Sequence, residues 1–357
     1  MDWFAERLLT WYDQHGRKHL PWQQDVNAYR VWISEIMLQQ TQVTTVIPYF
    51  EKFMARYPEV RDLAEAELDE VLHHWTGLGY YARGRNLHKT AQRVMAEHDG
   101  EMPTSVEALE ALPGIGRSTA GAIAAIAADV RAPILDGNVK RVLARFHTVA
   151  GYPGESAVAK TLWAQADTHT PEQRVADYTQ AIMDLGATLC VRSRPDCSTC
   201  PVAERCAALA ADEIALYPGK KPKKEKPTRK ARIFVAHDGN GTCLVEQRPA
   251  EGIWGSLWTP PERPADTAVE TFLTEFGLPA EQISTEGYPV HIAPVFRHTF
   301  THFHLDIEPV YIEVTEPPRE VRERDDVRWY TQGSNEPLGL SAPAVKLIAS
   351  LSEFSLT

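Results

Sequence analysis

Long apolar runs are missing from this chain. None approaches the ~20 residues a membrane-spanning helix needs, and no apolar stretch opens it in the manner of a secretory signal. A cytoplasmic protein with no membrane anchor is expected. Cysteine is scarce: there are five in 357 residues, and four of them fall between 190 and 206. With no secretory signal, that excludes a disulfide framework as the source of stability. Positive charge is in deficit, with 37 Lys and Arg against 48 Asp and Glu and a net charge of −11. That excludes a polycation that coats nucleic acid through bulk charge. Any contact with DNA must come from local clusters such as Arg83, Arg85 and Lys89, or Lys140, Arg141 and Arg145. A solvated helix face is the plain alternative for each cluster.

What the chain has is an order of parts. Leu112-Pro113-Gly114-Ile115-Gly116-Arg117-Ser118-Thr119-Ala120 separates two helical runs. Glycine permits the positive φ of a tight helix-to-helix turn and lets a phosphate come close to the backbone. The amides that open the second helix then face an anion along the favourable end of the dipole. A helix C-cap followed by a new helix explains G-x-G alone; the flanking residues favour a helix-hairpin-helix. Downstream, Ala132-Pro133-Ile134-Leu135-Asp136-Gly137-Asn138-Val139-Lys140-Arg141 places an aspartate at what reads as a helix start. There the dipole favours the anion. Upstream, Glu35 lies in the otherwise apolar helical stretch Trp32-Ile33-Ser34-Glu35-Ile36-Met37-Leu38, where desolvation raises a carboxyl pKa. A partly exposed helix residue and a helix N-cap are the plain readings of these two carboxylates. Cys190, Cys197, Cys200 and Cys206 follow a C-x6-C-x2-C-x5-C spacing. By spacing alone this suits zinc or an iron–sulfur cluster equally.

These motifs resemble those of the helix-hairpin-helix DNA glycosylases, over Trp11 to Leu340. Bifunctional members similar to endonuclease III carry a lysine where this chain has Ser118, and that lysine attacks the sugar. Serine cannot form the imine, so the resemblance is to the monofunctional adenine DNA glycosylases of the MutY type. It implies removal of adenine opposite 8-oxoguanine, or opposite guanine, from double-stranded DNA. It assigns Glu35 as general acid at adenine N7, Asp136 as stabiliser of the oxocarbenium-like sugar, and Asn138 as a residue that orients the site. It resolves the four cysteines as ligands of a [4Fe-4S] cluster whose loop turns Arg192, Arg194 and Arg205 towards DNA. Gly114, Gly116 and Ser118 form the DNA-binding hairpin. Gln40, Thr41, Leu78 and Tyr80 fill the gap left by the flipped base and contact the orphan base. Trp22 lines the adenine pocket.

The resemblance divides the chain into a helical catalytic domain over 1–216, a basic linker over 217–232 and a Nudix-like domain over 233–357. Within the first, a six-helix module covers about residues 27–130, and residues 1–26 plus 131–216 form the iron–sulfur module. The residues agree in texture. Apolar positions recur at helical spacing through Trp32, Ile33, Ile36 and Met37 and through Val46, Tyr49, Phe50 and Phe53. Pro218 to Arg232 holds eight basic residues and one acidic, broken by proline, and reads as a linker that also lies along DNA. Beyond it, Ala231–Ala236 and Thr242–Glu246 flank the hairpin signal Asp238-Gly239-Asn240-Gly241. Ala268–Phe276 reads as a helix, and His291–Val314 alternates as strands. The expected fold is thus an all-helical domain followed by an α/β domain. The helix at 269–276 lacks the paired acidic residues that hold metal in Nudix hydrolases, so a binding module is expected. Phe300-Thr301-His302 stands where MutY proteins carry Phe-Ser-His, the tripeptide that recognises 8-oxoguanine. Threonine keeps the hydroxyl and adds a methyl.

Two other functions compete. A bifunctional pyrimidine glycosylase/lyase is opposed by Ser118 and by the C-terminal module. A non-catalytic damage sensor is opposed by Glu35, Asp136 and the intact loop Gly77-Leu78-Gly79-Tyr80-Tyr81, which offers an apolar wedge and an aromatic for insertion. A monomer associated with the nucleoid through DNA is expected, with replication or mismatch-repair proteins as candidate partners.

Overall fold

A computed structural model describes residues 1–222, 225–278, 290–314, 325–334 and 336–353. Lys223 and Lys224 of the basic run lie outside the described residues. By packing, the chain forms two compact units: residues 1–66 with 86–223, and residues 67–85 with 224–357.

The first unit is helical. It contains α1 (Trp3–His15), α2 (Ala28–Leu38), α3 (Val43–Arg56) and α4 (Val60–Glu65). After α5 (Leu68–Trp75), which belongs to the second unit, come α6 (Ala82–Glu97), whose first four residues also belong to the second unit, α7 (Val106–Glu110) and α8 (Arg117–Ala128). Then follow α9 (Gly137–Phe146), α10 (Ser156–His169), α11 (Val175–Asp184) and the short α12 (Ala207–Ala210). Polar side chains set several of the starts. Asp2, Asn27 and Ser105 each accept a backbone N–H from the first turn of α1, α2 and α7. On α2 and α3 the anticipated residues Trp32, Ile33, Ile36, Met37, Val46, Phe50 and Phe53 are buried, whereas Tyr49, also expected on the apolar stripe, is half-buried. A core of Phe4, Leu8, Val139, Leu143, Tyr178 and Ile182 joins α1, α9 and α11. A π-helical turn, Leu185–Leu189, continues α11 towards the first cysteine.

The second unit is built on a mixed sheet: β1 (Thr228–His237), β2 (Thr242–Gln247), β3 (Trp258–Thr259), β4 (Glu262–Pro264), β5 (Val290–Ile292), β6 (Phe296–Thr299), β7 (His304–Glu313) and β8 (Val327–Thr331). The main order is β3-β2-β1-β7-β5, with β1 and β7 parallel in the register Thr228↔His304 to His237↔Glu313. Between β4 and β5 runs α13 (Val269–Glu275). It covers one face of the sheet, with Phe272 stacked on Phe234 at 4.3 Å and Leu273 beside Val310 and Ile312 in the same core. Strand alternation turns Tyr311 to the other face, where its hydroxyl lies 2.8 Å from Ser350 at the end of α14 (Ala342–Ala349).

Residues 67–85 depart from the linear division expected from sequence. They pack with the C-terminal segment, because buried partners there satisfy them. Trp258 Nε1 donates to Asp69 at 3.0 Å, the Tyr81 hydroxyl donates to the Leu340 carbonyl at 3.0 Å, and Arg85 donates to the Gly255 carbonyl at 2.7 Å. A Cβ added at Gly339 would lie 2.5 Å from Leu72.

Candidate active site

In the first unit α2 packs on α8 and carries Glu35. Glu35 keeps some exposure within the otherwise buried run Val31–Met37. Desolvation, with the negative charge of Asp136 adding to it, pushes its carboxyl up to about 8. The two carboxylates therefore sense each other although they are far apart in sequence.

Asp136 is the N-cap of α9, where its Oδ1 accepts the Val139 N–H at 2.7 Å. The sequence predicts an anion favoured by the helix start. The structure adds an opposing effect: burial raises the Asp136 pKa, and the bonds from Val139 and Asn138 and the charges of Arg141 and Lys140 only partly offset it. Asn138 Nδ2 lies 3.4 Å from Asp136 Oδ2. Arg141 in turn donates to Asn138 Oδ1 at 2.8 Å, to the Gly186 carbonyl at 2.6 Å and to the Cys190 carbonyl at 2.7 Å. A Cβ at Gly186 would lie 2.6 Å from the Asn138 Cβ, so only glycine lets the π-turn come this close.

The loop before Asp136 is tied to α8. Ser118 Oγ accepts the Leu135 N–H at 2.9 Å, and Gly121 admits the Pro133 carbonyl, which a Cβ would meet at 2.7 Å. The hairpin itself is braced from α6. Thr90 donates to the Pro113 carbonyl at 2.8 Å and Arg93 to the Ala111 carbonyl at 2.7 Å. Leu112 and Ile115 point inward, while Gly114, Gly116 and Arg117 are exposed. Of the two glycines only Gly114 has a left-handed backbone, at φ +78°. Gly116 is extended at φ −93° and caps α8 without a side-chain hydrogen bond, and a Cβ there would meet nothing in the protein. Its contribution is an uncovered start to α8, where a helix has amides without intrahelical partners.

Four free thiols, Cys190, Cys197, Cys200 and Cys206, line one cavity with apolar walls that include Leu185, Leu189 and Val202. Burial raises Cys197 and Cys206 and pushes Cys200 up to about 11, and neighbouring thiols add to each shift. Such a donor set fits a cationic group that compensates the thiolates. Among the described residues, no three ligating side chains converge on a single-ion position. Arg145 Nη1 lies 3.3 Å from Cys190 Sγ, and the same side chain donates to the carbonyls of Tyr217, Val191 and Arg192. Arg192, Arg194 and Arg205 are exposed on the loop, with Arg205 4.4 Å from the centre of the Trp3 ring.

Two of the arginines expected to meet DNA are corrected here. Arg145 and Arg83 are only 3% and 8% exposed. Each faces carbonyls of irregular segments, which need donors where water is excluded. Sequence reasoning placed both on the surface as members of basic clusters. A signal existed for Arg145, which stands between Ala144 and Phe146 in a run with apolar residues on both sides.

The remaining positions divide by exposure. Gln40 is exposed with a left-handed backbone at φ +59°, and Thr41 is half-buried. Trp22 is buried with its ring edge-on to Phe50 at 5.6 Å. In the second unit Leu78 is buried, whereas Tyr80 is 46% exposed. Phe300-Thr301-His302 occupies the turn between β6 and β7 rather than a strand. Phe300 packs against Phe303 at 4.6 Å and Trp254 at 5.2 Å, and its carbonyl accepts from Lys226 at 2.8 Å. Thr301 and His302 are exposed at the tip, their Oγ1 and Nδ1 3.4 Å apart.

Residues 33–167 match the HhH-GPD superfamily base excision DNA repair protein family, and residues 232–350 match the NUDIX domain family. An adenine DNA glycosylase of Buchnera aphidicola from Schizaphis graminum is 37% identical over 97% of this chain and 97% of its own length. The human adenine DNA glycosylase is 35% identical over 92% of this chain and 70% of that protein. Among solved structures, a thermostable thymine-DNA glycosylase superposes with a TM-score of 0.52 at 26% identity, covering 58% of this chain and 95% of that one. An endonuclease III–DNA complex shares the fold, with a TM-score of 0.51 at 20% identity over 59% of this chain and 95% of that one. With full-length relatives at this level of identity, the chain belongs to the adenine DNA glycosylase family and is a DNA glycosylase, a hydrolase of N-glycosyl bonds.

Proposed function

We propose that this enzyme removes adenine mispaired with 8-oxoguanine or guanine and leaves the strand uncut. The observation that carries the reading is the pairing of two differently held carboxylates. The carboxyl of Glu35, raised to about 8, has no protein hydrogen-bond partner among the described residues, while Asp136 is capped by Val139 N–H. Adenine is a poor leaving group as an anion. Glu35, protonated at neutral pH, donates its proton to the ring nitrogen N7 as the glycosidic bond breaks. The sugar becomes cation-like, and ionised Asp136 stabilises it. Asn138, held by Arg141, keeps the Asp136 carboxylate in place. Water then adds to the sugar carbon and gives its proton to the Glu35 carboxylate, which restores the acid and completes hydrolysis.

Ser118 supports monofunctional chemistry. Its hydroxyl is engaged by Leu135 N–H, and it offers no amine for an imine. Cys190, Cys197, Cys200 and Cys206 would hold a [4Fe-4S] cluster, whose iron would neutralise the thiolates and tie down the loop that bears Arg192 and Arg194. Arg145 supplies a donor to Cys190 Sγ. The hairpin amides at Gly116 bind a DNA phosphate, and Thr301 and His302 read the base opposite adenine. In the C-terminal unit Glu275 is engaged by Arg263 at 2.5 Å, which supports binding over nucleotide hydrolysis.

Single-turnover cleavage of A:8-oxoguanine, A:G and A:C duplexes, with alkali added or withheld, tests this. Breaks that require alkali and form fastest opposite 8-oxoguanine are expected. Breaks without alkali would move the enzyme to the lyase branch.

A further inference from the structure

The segment between α5 and α6 is unusually constrained for an exposed loop. Gly77, Gly79 and Tyr80 all have left-handed backbones, at φ +101°, +72° and +49°. Glycine adopts this at little cost; tyrosine does not, and persists there only when the surroundings impose it. Tyr80 is also the residue that projects, since Leu78, Tyr81 and Arg83 on either side are buried. Something beneath the loop must therefore hold it.

Arg83 is the main candidate. Its Nη2 donates to the Leu78 carbonyl at 3.2 Å and to the Gly79 carbonyl at 3.1 Å. Its guanidinium carbon lies 5.3 Å from the centre of the Trp75 ring and 5.6 Å from the centre of the Tyr80 ring. Trp75 Nε1 donates to the same Gly79 carbonyl at 3.2 Å. The Arg83 backbone N–H closes the turn onto the Tyr80 carbonyl at 2.9 Å. Tyr81 anchors the far side through its bond to Leu340. A buried guanidinium is costly unless its donors are used. Here one planar group reaches two consecutive carbonyls and lies close to two aromatic rings, which a lysine ammonium does not reproduce.

We propose that Arg83 is a positioning residue for insertion into the duplex. It turns the Leu78 and Gly79 carbonyls inward and so keeps Tyr80 outside, set to enter the base stack beside the mispair. The inference rests on the reading of Tyr80 as the inserting side chain.

The test uses the full-length enzyme and a duplex with 2-aminopurine beside the mispaired adenine. Fluorescence enhancement on binding and the single-turnover rate at saturating enzyme are measured for Tyr80→Ala, Arg83→Gln, Arg83→Lys and the double variant. Arg83→Gln is expected to lower both readouts by about tenfold, the scale of a lost charged hydrogen bond. Arg83→Lys should recover part of the loss, because it reaches one carbonyl at most. In the Tyr80→Ala background Arg83→Gln should add little, because both changes remove the same insertion. Full additivity there, or an unchanged Arg83→Gln, with Tyr80→Ala impaired, overturns the role of Arg83 alone. A neutral Tyr80→Ala overturns the reading of Tyr80 and the inference with it. Should Arg83→Gln not fold, Arg83→Lys alone and in the Tyr80→Ala background makes the same comparison.

Discussion

The residues proposed to act are held in opposite ways by the two units. In the first, Glu35 and Asp136 are set into a helical interior, where burial changes their proton affinity. In the second, Tyr80, Thr301 and His302 stand out on turns, carried by buried neighbours that do not themselves project. Chemistry on a glycosidic bond needs a low-dielectric setting that separates acid from anion. Reading a base needs reach, and reach is safe only on a stiff support. Trp75 and Arg83 supply that support for Tyr80, and Trp254 and Phe303 supply it for Phe300.

If this contrast is right, changes inside the first unit should abolish chemistry while those at the second unit's tips should only redistribute preference. The largest effect is expected for Glu35→Gln and Asp136→Asn. Each should lower the single-turnover rate by about 10²–10⁴-fold with duplex binding retained, as read by pre-steady-state quench and fluorescence anisotropy. Near-normal rates in either variant would erase the distinction between the units.

The pH profile sharpens it. As the proposed general acid, Glu35 is active only while protonated, so the rate should fall about tenfold per pH unit above a pKa near 8. On the acid side it should fall as Asp136 takes up a proton, above the usual range for aspartate. Stability carries the same signature. The folded Glu35 keeps a proton that the unfolded chain releases near 4.5, so its contribution is full below 4.5 and declines as pH rises towards 8. Glu35→Gln should therefore gain stability relative to the parent as pH rises, measured by urea unfolding at pH 5 and pH 8.

A smaller effect is expected at the tip. Thr301→Ala should reduce the preference for A:8-oxoguanine over A:G by about tenfold while leaving the limiting rate nearly intact, and Thr301→Ser should keep the preference. Truncation at the linker is a poorer test, because it also removes Leu340, Gly255 and Trp258, which hold residues 67–85. The smallest effect is expected for Ser118→Ala. It strips the Leu135 N–H of its partner and should cost ~1 kcal/mol of stability, read by the same unfolding measurement.

Much of the candidate site was proposed from sequence because its motifs are local. The glycine hairpin, the loop ending in Asp136 and the four cysteines each bring their residues together within a short stretch, and spacing along the chain stands in for spacing in the fold. Ser118 also spoke for itself, since a hydroxyl lacks the amine that lyase chemistry needs. The strands around Asp238-Gly239-Asn240-Gly241 and the helix at 269–275 followed from turn chemistry and period. The arginines did not. Lys, Arg and helix periodicity look alike for a solvated face and for a buried donor. The difference lies in which carbonyls the fold turns towards the guanidinium: the distant ones of Cys190, Val191 and Tyr217 for Arg145, and those of the adjoining turn, Leu78 and Gly79, for Arg83.

The sequence by itself therefore determined the kinds of chemistry available: an acid in an apolar helix, a capping aspartate, a cluster-sized set of thiols and no amine at 118. The tertiary structure decided their states and partners. Only packing brings Asp136 within electrostatic range of Glu35, burial then raises both carboxyls, and only long-range contacts join residues 67–85 to the C-terminal sheet unit. Proton affinity depends on what surrounds a group in space, and for Glu35 that includes Asp136, remote in the chain; the loop at Tyr80 draws on near neighbours and on one remote anchor, Leu340.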